Sequence, residues 1–337
     1  MANVSNETAQ ALDEVLNAIR DNSSYGGRPL GTLQPSVCDS WSDAEIVQHF
    51  KVGASADPDS GRDYSFVRTI CNDTVVKLTR GYYDTRNRPP ECLALEFVRK
   101  HTEVPVPGVR RVVVAEGSHY IVMEKIQGTP LHKVWPSLTP SQRFGDALTL
   151  RDYLLQIRRA SENYERRSCP GPMDPEPLEC SGLEYIIMDR NWGPFDSAKQ
   201  LIDHFNKLCR LPLPDAKGAR IEDNQLVDRY PLVLTHSDLS LRNIVVGKDG
   251  RLWIVDWEYS GFYPPWWEHI MVLNAAINDA RAGGWMRGEA IRNAEESWWQ
   301  WWFSIPFVTG SWHRERRLLR RYAMKPRRAK DGSWAPF

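Results

Sequence analysis

Three residues in one stretch of the sequence have the types and spacing for chemistry: Asp238, Asn243 and Asp256, within LTHSDLSLRNIVVGKDGRLWIVDWE, residues 234–258. Asp238 stands in a short polar turn after the apolar Pro231–Leu234, and Asn243 opens a β-hairpin whose turn is Lys248-Asp249-Gly250. The returning strand, Leu252–Val255, ends abruptly in Asp256. A hairpin brings its two ends together, so Asn243 and Asp256 are expected side by side, with Asp238 just before them. Two carboxylates and an amide oxygen form the oxygen-rich ligand set that hard cations such as Mg²⁺ prefer. Taken singly, each residue has a plainer reading, since Asp and Asn at strand ends are commonly turn or cap residues.

The elements that must position these residues are legible from the pattern. Alternating segments Tyr64–Ile70 and Thr74–Thr79 flank Asn72-Asp73 and read as a hairpin. Lys77 lies in the second, on the face opposite Val76 and Leu78; by pattern alone it is an ordinary solvent-facing strand lysine. Pro89-Pro90 marks a helix start, and Glu91–His101 carries helical spacing. Glu91 shares a face with Ala94, Leu95 and Val98, whereas Glu96 lies well round the helix. Glu91 is also placed to favour the helix dipole. Strands are expected at Val109–Ala115 and His119–Met123, joined by Glu116-Gly117, and an earlier helix at Ser42–Phe50. After Gln127-Gly128 the chain turns helical, with Thr139–Ala160, Ser197–Leu208 and Glu222–Asp228, a loop at 168–182, and a Trp-rich helical remainder from Pro265. A β-rich part followed by a helical part predicts a two-lobed α+β arrangement, residues 1–125 and 126–337.

The segments THSDLSLRNIVV (235–246), IVDWEYSGFYPPWWE (254–268), HTEVPVPGV (101–109) and YIVMEKIQGTPLHKVWPSLTP (120–140) resemble the aminoglycoside phosphotransferase and choline kinase family, and within it a fungal phosphotransferase branch. The resemblance extends over roughly residues 70–270 and implies a bilobal protein-kinase-like fold, with a small β-rich N-lobe and a larger, mainly helical C-lobe. It implies a small-molecule kinase using ATP or GTP and Mg²⁺. Asp238 would be the catalytic base or orient the acceptor hydroxyl, Asn243 and Asp256 would hold Mg²⁺ against the phosphates, and His236 would be structural. Lys77 would reach the α/β-phosphates and pair with Glu91, while backbone groups of Glu124 and Ile126 would meet the adenine edge. The family pattern usually has Gly where Ser237 stands and Pro where Leu241 stands. No G-x-G-x-x-G covers the phosphates; only Ser60-Gly61-Arg62-Asp63 sits in the right place before a strand.

The resemblance says little about the acceptor. Trp266-Trp267-Glu268 and Trp298-Trp299-Gln300-Trp301-Trp302 read first as core packing of a helical subdomain. The alternative is an apolar or aromatic acceptor stacked on indoles, Trp298, Trp299 and Trp302 sharing one helical face, with Glu268 or Glu258 recognising a hydroxyl or amine. The tail offers no carboxylate cluster of the kind a polycationic aminoglycoside requires.

Composition narrows the other classes. Lys and Arg number 43, as do Asp and Glu, so bulk charge gives no support for a nucleic-acid or membrane-surface partner. The runs RERRLLRR and KPRRAK read as a solvated helix face and a tail. No apolar run is long enough to span a bilayer and the N-terminus lacks a secretory pattern, which points to a cytoplasmic protein. Six scattered cysteines without a C-x-x-C pair read as reduced thiols. Two alternatives remain: a catalytically silent kinase-fold binding protein, disfavoured by the intact Lys77, Glu91, Asp238, Asn243 and Asp256, and a protein kinase, disfavoured by the missing H-R-D, D-F-G and A-P-E motifs.

Overall fold

A computed structural model of the protein describes residues 31–56, 66–79, 88–162, 164, 169–180, 192–209, 225–282, 291–323, 327–328 and 334–335. The first part is a five-stranded antiparallel sheet of β1 (Ala54–Ser55), β2 (Val67–Cys71), β3 (Thr74–Thr79), β4 (Val109–Ala115) and β5 (Ser118–Glu124), in the order β1-β2-β3-β5-β4. Its two faces are read from the alternation in β3. Val76 packs with Tyr120 and Val122 against Ile46, Val47 and Phe50 of helix α1 (Asp43–Val52), whose N-cap Ser42 forms a capping box with Glu45. Val75 packs with Ile121 and Met123 against Cys92 of helix α2 (Pro90–His101). Lys77 shares the face of Val75. The pattern placed it correctly on the face opposite Val76, but that face is covered by α2, and Lys77 is buried rather than solvent-facing.

The second part begins with β6 (Gly128–Pro130), which pairs with β9 (Ile244–Gly247) in a small sheet with β10 (Leu252–Ile254). A Cβ on Gly128 would lie 2.2 Å from the Val246 carbonyl oxygen, so this pairing requires glycine. A second small sheet joins β7 (Gly171–Pro172), β8 (Val233–Thr235) and β11 (Gly261–Tyr263), in the order β7-β11-β8. The rest is helical: α3 (Pro140–Ser161), α4 (Ala198–Cys209), α5 (Trp266–Ala282), α6 (Ile291–Thr309) and α7 (His313–Ala323). Thr139 caps α3 through a capping box with Gln142. The largest core cluster runs from Leu95 and Val98 of α2 through Leu150, Leu154 and Ile157 of α3 to Ile254 of β10 and Val272 of α5. This is the bilobal α+β fold expected, an antiparallel sheet followed by a mainly helical region.

One expected element does not form where it is described. The C-terminal part of Glu222–Asp228, residues 225–228, carries no helix. Instead the amide of Asn206 on α4 donates to the Leu226 carbonyl at 2.9 Å and accepts from its N–H at 2.7 Å. A side chain thereby satisfies backbone groups that a helical turn would otherwise pair. Among the described residues, no helix is long and apolar enough to cross a membrane.

Candidate active site

Asp238 follows β8 in a loop whose shape is set by a buried carboxylate. Glu268, in the first turn of α5, accepts the N–H of His236 at 2.6 Å and that of Ser237 at 3.2 Å. Burial pushes the Glu268 carboxyl up to about 7 despite those donors and the charge of Arg158. Glu268 is therefore a holder of the loop and not the acceptor-recognising group weighed from the sequence. Ser237 has φ 64, a left-handed conformation that favours glycine, which gives a physical reason for the glycine the family pattern usually has there. Its hydroxyl lies 2.9 Å from Thr235 Oγ1. Leu241, where the pattern usually has proline, opens a 3₁₀ turn over Leu241–Asn243 and is buried in the main core.

The loop then presents Asp238 inward. Nδ1 of the buried His236 accepts the Asp238 N–H at 3.2 Å, which leaves Nε2 as the protonated nitrogen facing the Val255 carbonyl at 3.0 Å. Burial lowers the His236 pKa to about 4, so the ring is neutral at ordinary pH. The Asn243 amide donates to the Asp238 carbonyl at 2.8 Å and to Asp238 Oδ2 at 2.9 Å. Arg242, passed over in the sequence, places Nη2 2.9 Å from Asp238 Oδ1 and 3.1 Å from Oδ2. The one available signal was the four-residue separation of opposite charges. Burial raises the Asp238 carboxyl to about 6, with Arg242 acting against the rise.

On the sheet side, the Lys77 ammonium lies 3.1 Å from Glu91 Oε1 and 3.0 Å from Oε2. It also lies 2.6 Å from Asp256 Oδ1 and 3.1 Å from Glu258 Oε2, the latter contact unforeseen from sequence. Glu91 accepts in addition the Trp257 N–H at 3.2 Å. Glu96, the competing glutamate, is exposed and pairs with Arg88. Burial alone would lower the Lys77 pKa, but the carboxylates of Asp256, Glu91 and Glu258 outweigh it and hold the ammonium charged. Burial likewise pushes Glu91 up to about 7, helped by Asp256 and Glu258 and opposed by Lys77. Desolvation pushes the Asp256 carboxyl up, but the charge and hydrogen bond of Lys77, with His236 and Arg242, together bring it below the usual range. One ammonium faces three carboxylates, two of them opening to solvent, a charge balance that a bound cation would complete.

The hairpin places Asn243 and Asp256 at the same end: the Val255 N–H donates to the Asn243 carbonyl at 2.9 Å, and Asp256 follows with φ 63. Asn243 donates through Nδ2 to Asp238, so its Oδ1 is the side-chain atom left with acceptor capacity for a cation. Among the described residues no group of three or more His, Cys, Asp or Glu converges as a metal site. An amide and a carboxylate still fit Mg²⁺, which keeps waters and phosphate oxygens among its ligands. Glu124 closes β5, its N–H donating to the Gly108 carbonyl at 2.9 Å, and Ile126 follows in the connection to β6. Ser60-Gly61-Arg62-Asp63 lies outside the described residues.

The tryptophans divide. Trp266 and Trp267 are fully buried, Trp267 stacked on Tyr263 at 4.2 Å between centroids. The inward stripe of α6 is Trp301, Ile305 and Val308, not the face of Trp298, Trp299 and Trp302. Trp302 is partly buried against the core, Trp299 is exposed, and the Trp298 side chain lies outside the description. Of the basic run, Leu318 and Leu319 are buried in the core around Phe205 and Trp266.

The family described as the phosphotransferase enzyme family matches residues 59–302. Among solved structures, the chain is similar to the streptomycin–ATP ternary complex of APH(2'')-IIa, at 16% identity over 82% of this chain and 94% of that one, with a TM-score of 0.39. Among curated proteins none matches the chain.

Proposed function

Because the chain belongs to the phosphotransferase enzyme family, we propose that it transfers the γ-phosphoryl group of ATP or GTP to a hydroxyl of a small-molecule acceptor with the help of Mg²⁺. The observation that carries this reading is the meeting of β3, α2 and the β10–β11 connection at Lys77, Glu91 and Asp256, next to the loop that bears Asp238 and Asn243. Phosphoryl transfer asks little covalent chemistry of a protein. It asks for an acceptor held in line and for phosphate charge to be neutralised.

In this reading Asp238 accepts the hydroxyl proton of the acceptor, and Asn243 keeps its carboxylate oriented. Lys77, fixed by Glu91, meets the α/β-phosphates. The carbonyl of Glu124 and the amide of Ile126 meet the base. Asn243 Oδ1 and the Asp256 carboxylate would hold Mg²⁺, which supplies positive charge to the phosphates. Residues 1–125 then act as the nucleotide-binding lobe and 126–337 as the catalytic and acceptor lobe. The finer likeness to a fungal branch rests on the four sequence segments alone.

Mass spectrometry of a metabolite panel incubated with the protein, Mg²⁺ and ATP, beside an Asp238→Asn control, tests the reading. A phosphorylated product absent from the control supports it and separates it from a silent binding protein. Equal product from both removes Asp238 from its role.

A further inference from the structure

Among the described residues, Glu268, Glu258 and Asp238 beside the catalytic loop are already engaged by the protein itself. Glu268 is spent on the His236 and Ser237 amides, and Glu258 reaches Lys77 at 3.1 Å. Asp238, the carboxylate nearest the acceptor hydroxyl in the proposed reaction, carries the Arg242 guanidinium on both oxygens, at 2.9 and 3.1 Å. Arg242 comes from the same loop, four positions on, and its side chain is 37% exposed against 12% for Asp238. The cation is thus on the open side of the base. A guanidinium stays charged at every working pH, so it cancels the carboxylate that would otherwise attract an amine.

We propose that Arg242 is a specificity-determining residue: seated on Asp238 at the mouth of the loop, it fits the site to hydroxyl compounds without a cationic group and turns amine-bearing acceptors away. This rests on the reading of Asp238 as the group that meets the acceptor hydroxyl. Discrimination comes from removing an attraction for a cation and adding a like charge, penalties that a neutral acceptor does not meet.

The test uses the full chain with MgATP and matched compounds: glucose beside glucosamine, benzyl alcohol beside 4-(aminomethyl)benzyl alcohol, kanamycin as a polycation, and a low-molecular-weight metabolite extract. Phosphate esters are read by mass spectrometry, and ATP hydrolysis by phosphate release. The wild-type protein is expected to favour amine-free members by about tenfold or more in kcat/KM, and Arg242→Gln to narrow that preference by about tenfold. Arg242→Lys keeps the charge and is expected to retain the preference, which a merely structural role would not require. An amine-bearing compound used as well as its neutral partner, or a preference unchanged in Arg242→Gln, overturns the inference. ATP hydrolysis with no amine-free ester overturns it alone; neither ester nor hydrolysis overturns the activity reading and the inference with it.

Discussion

The ammonium of Lys77 lies 2.6 Å from Oδ1 of Asp256, a contact between residues 179 positions apart that ties the five-stranded sheet to the helical region. Lys77 is 5% exposed and Glu91 4%, so their ion pair is shielded from water on the sheet side. Lys77→Met strands the Glu91 carboxylate, a change that typically costs about 3–5 kcal/mol for a buried pair. Glu91 can relieve part of that cost by protonation, since burial already raises it to about 7. A carboxyl whose folded pKa is raised contributes stability below its unfolded pKa and loses it as pH rises through the folded value. The stability deficit of Lys77→Met is therefore expected to be larger at pH 8.5 than at pH 6, measured by urea unfolding at both.

Asp238→Asn keeps an oxygen for Arg242 and the fold, but removes the proton acceptor. A fall in kcat of about 10²–10⁴-fold is expected, the usual share of a general base. Thermal unfolding and nucleotide binding should stay close to wild type. In the wild-type protein, burial raises the Asp238 carboxyl to about 6, so kcat/KM should decline as pH falls through that value and the base becomes protonated.

Glu268 accepts two backbone donors, and a glutamine can replace only one of those acceptors. Glu268→Gln is expected to lose about 1–3 kcal/mol, the cost of one unsatisfied buried group. Activity should fall with it, because the N–H groups of His236 and Ser237 fix the turn that aims Asp238. Calorimetric unfolding beside kcat measures both.

His236 gives a prediction on the acid side. Its folded pKa, about 4, lies below the ordinary value because burial disfavours the charged ring. The unfolded chain therefore binds more protons between about 6.5 and 4, and stability should fall as pH drops through that window. His236→Asn is expected to be less stable near neutrality but to lose less on acidification. Denaturant midpoints at pH 7 and 4.5 would show whether the two curves converge.

Ser237→Gly separates strain from hydrogen bonding. Glycine relieves the φ of 64 by about 1 kcal/mol, but removes the hydroxyl contact with Thr235, worth a similar amount. The expected change in stability is small, whereas Ser237→Val, with a branched Cβ at positive φ, should lower the melting temperature clearly.

What the sequence determined by itself was whatever local order can encode. Strand alternation marked Val109–Ala115 and Thr74–Thr79, Ser42 and Thr139 marked helix starts, and the hairpin turn at Lys248-Asp249-Gly250 put Asn243 and Asp256 at one end. The helical face of Glu91 singled it out over Glu96 because both lie on one helix, where spacing fixes direction. Only the tertiary structure decided what covers each face. The alternation that set Lys77 opposite Val76 could not reveal that α2 roofs that side, turning a surface lysine into a buried ion pair. Likewise Glu268, Glu258 and Arg242 acquire their roles from partners brought by folding: two loop amides, a strand lysine and a buried carboxylate. Charge and hydrogen-bond capacity are written in a residue type, but the partner that consumes them is set by packing.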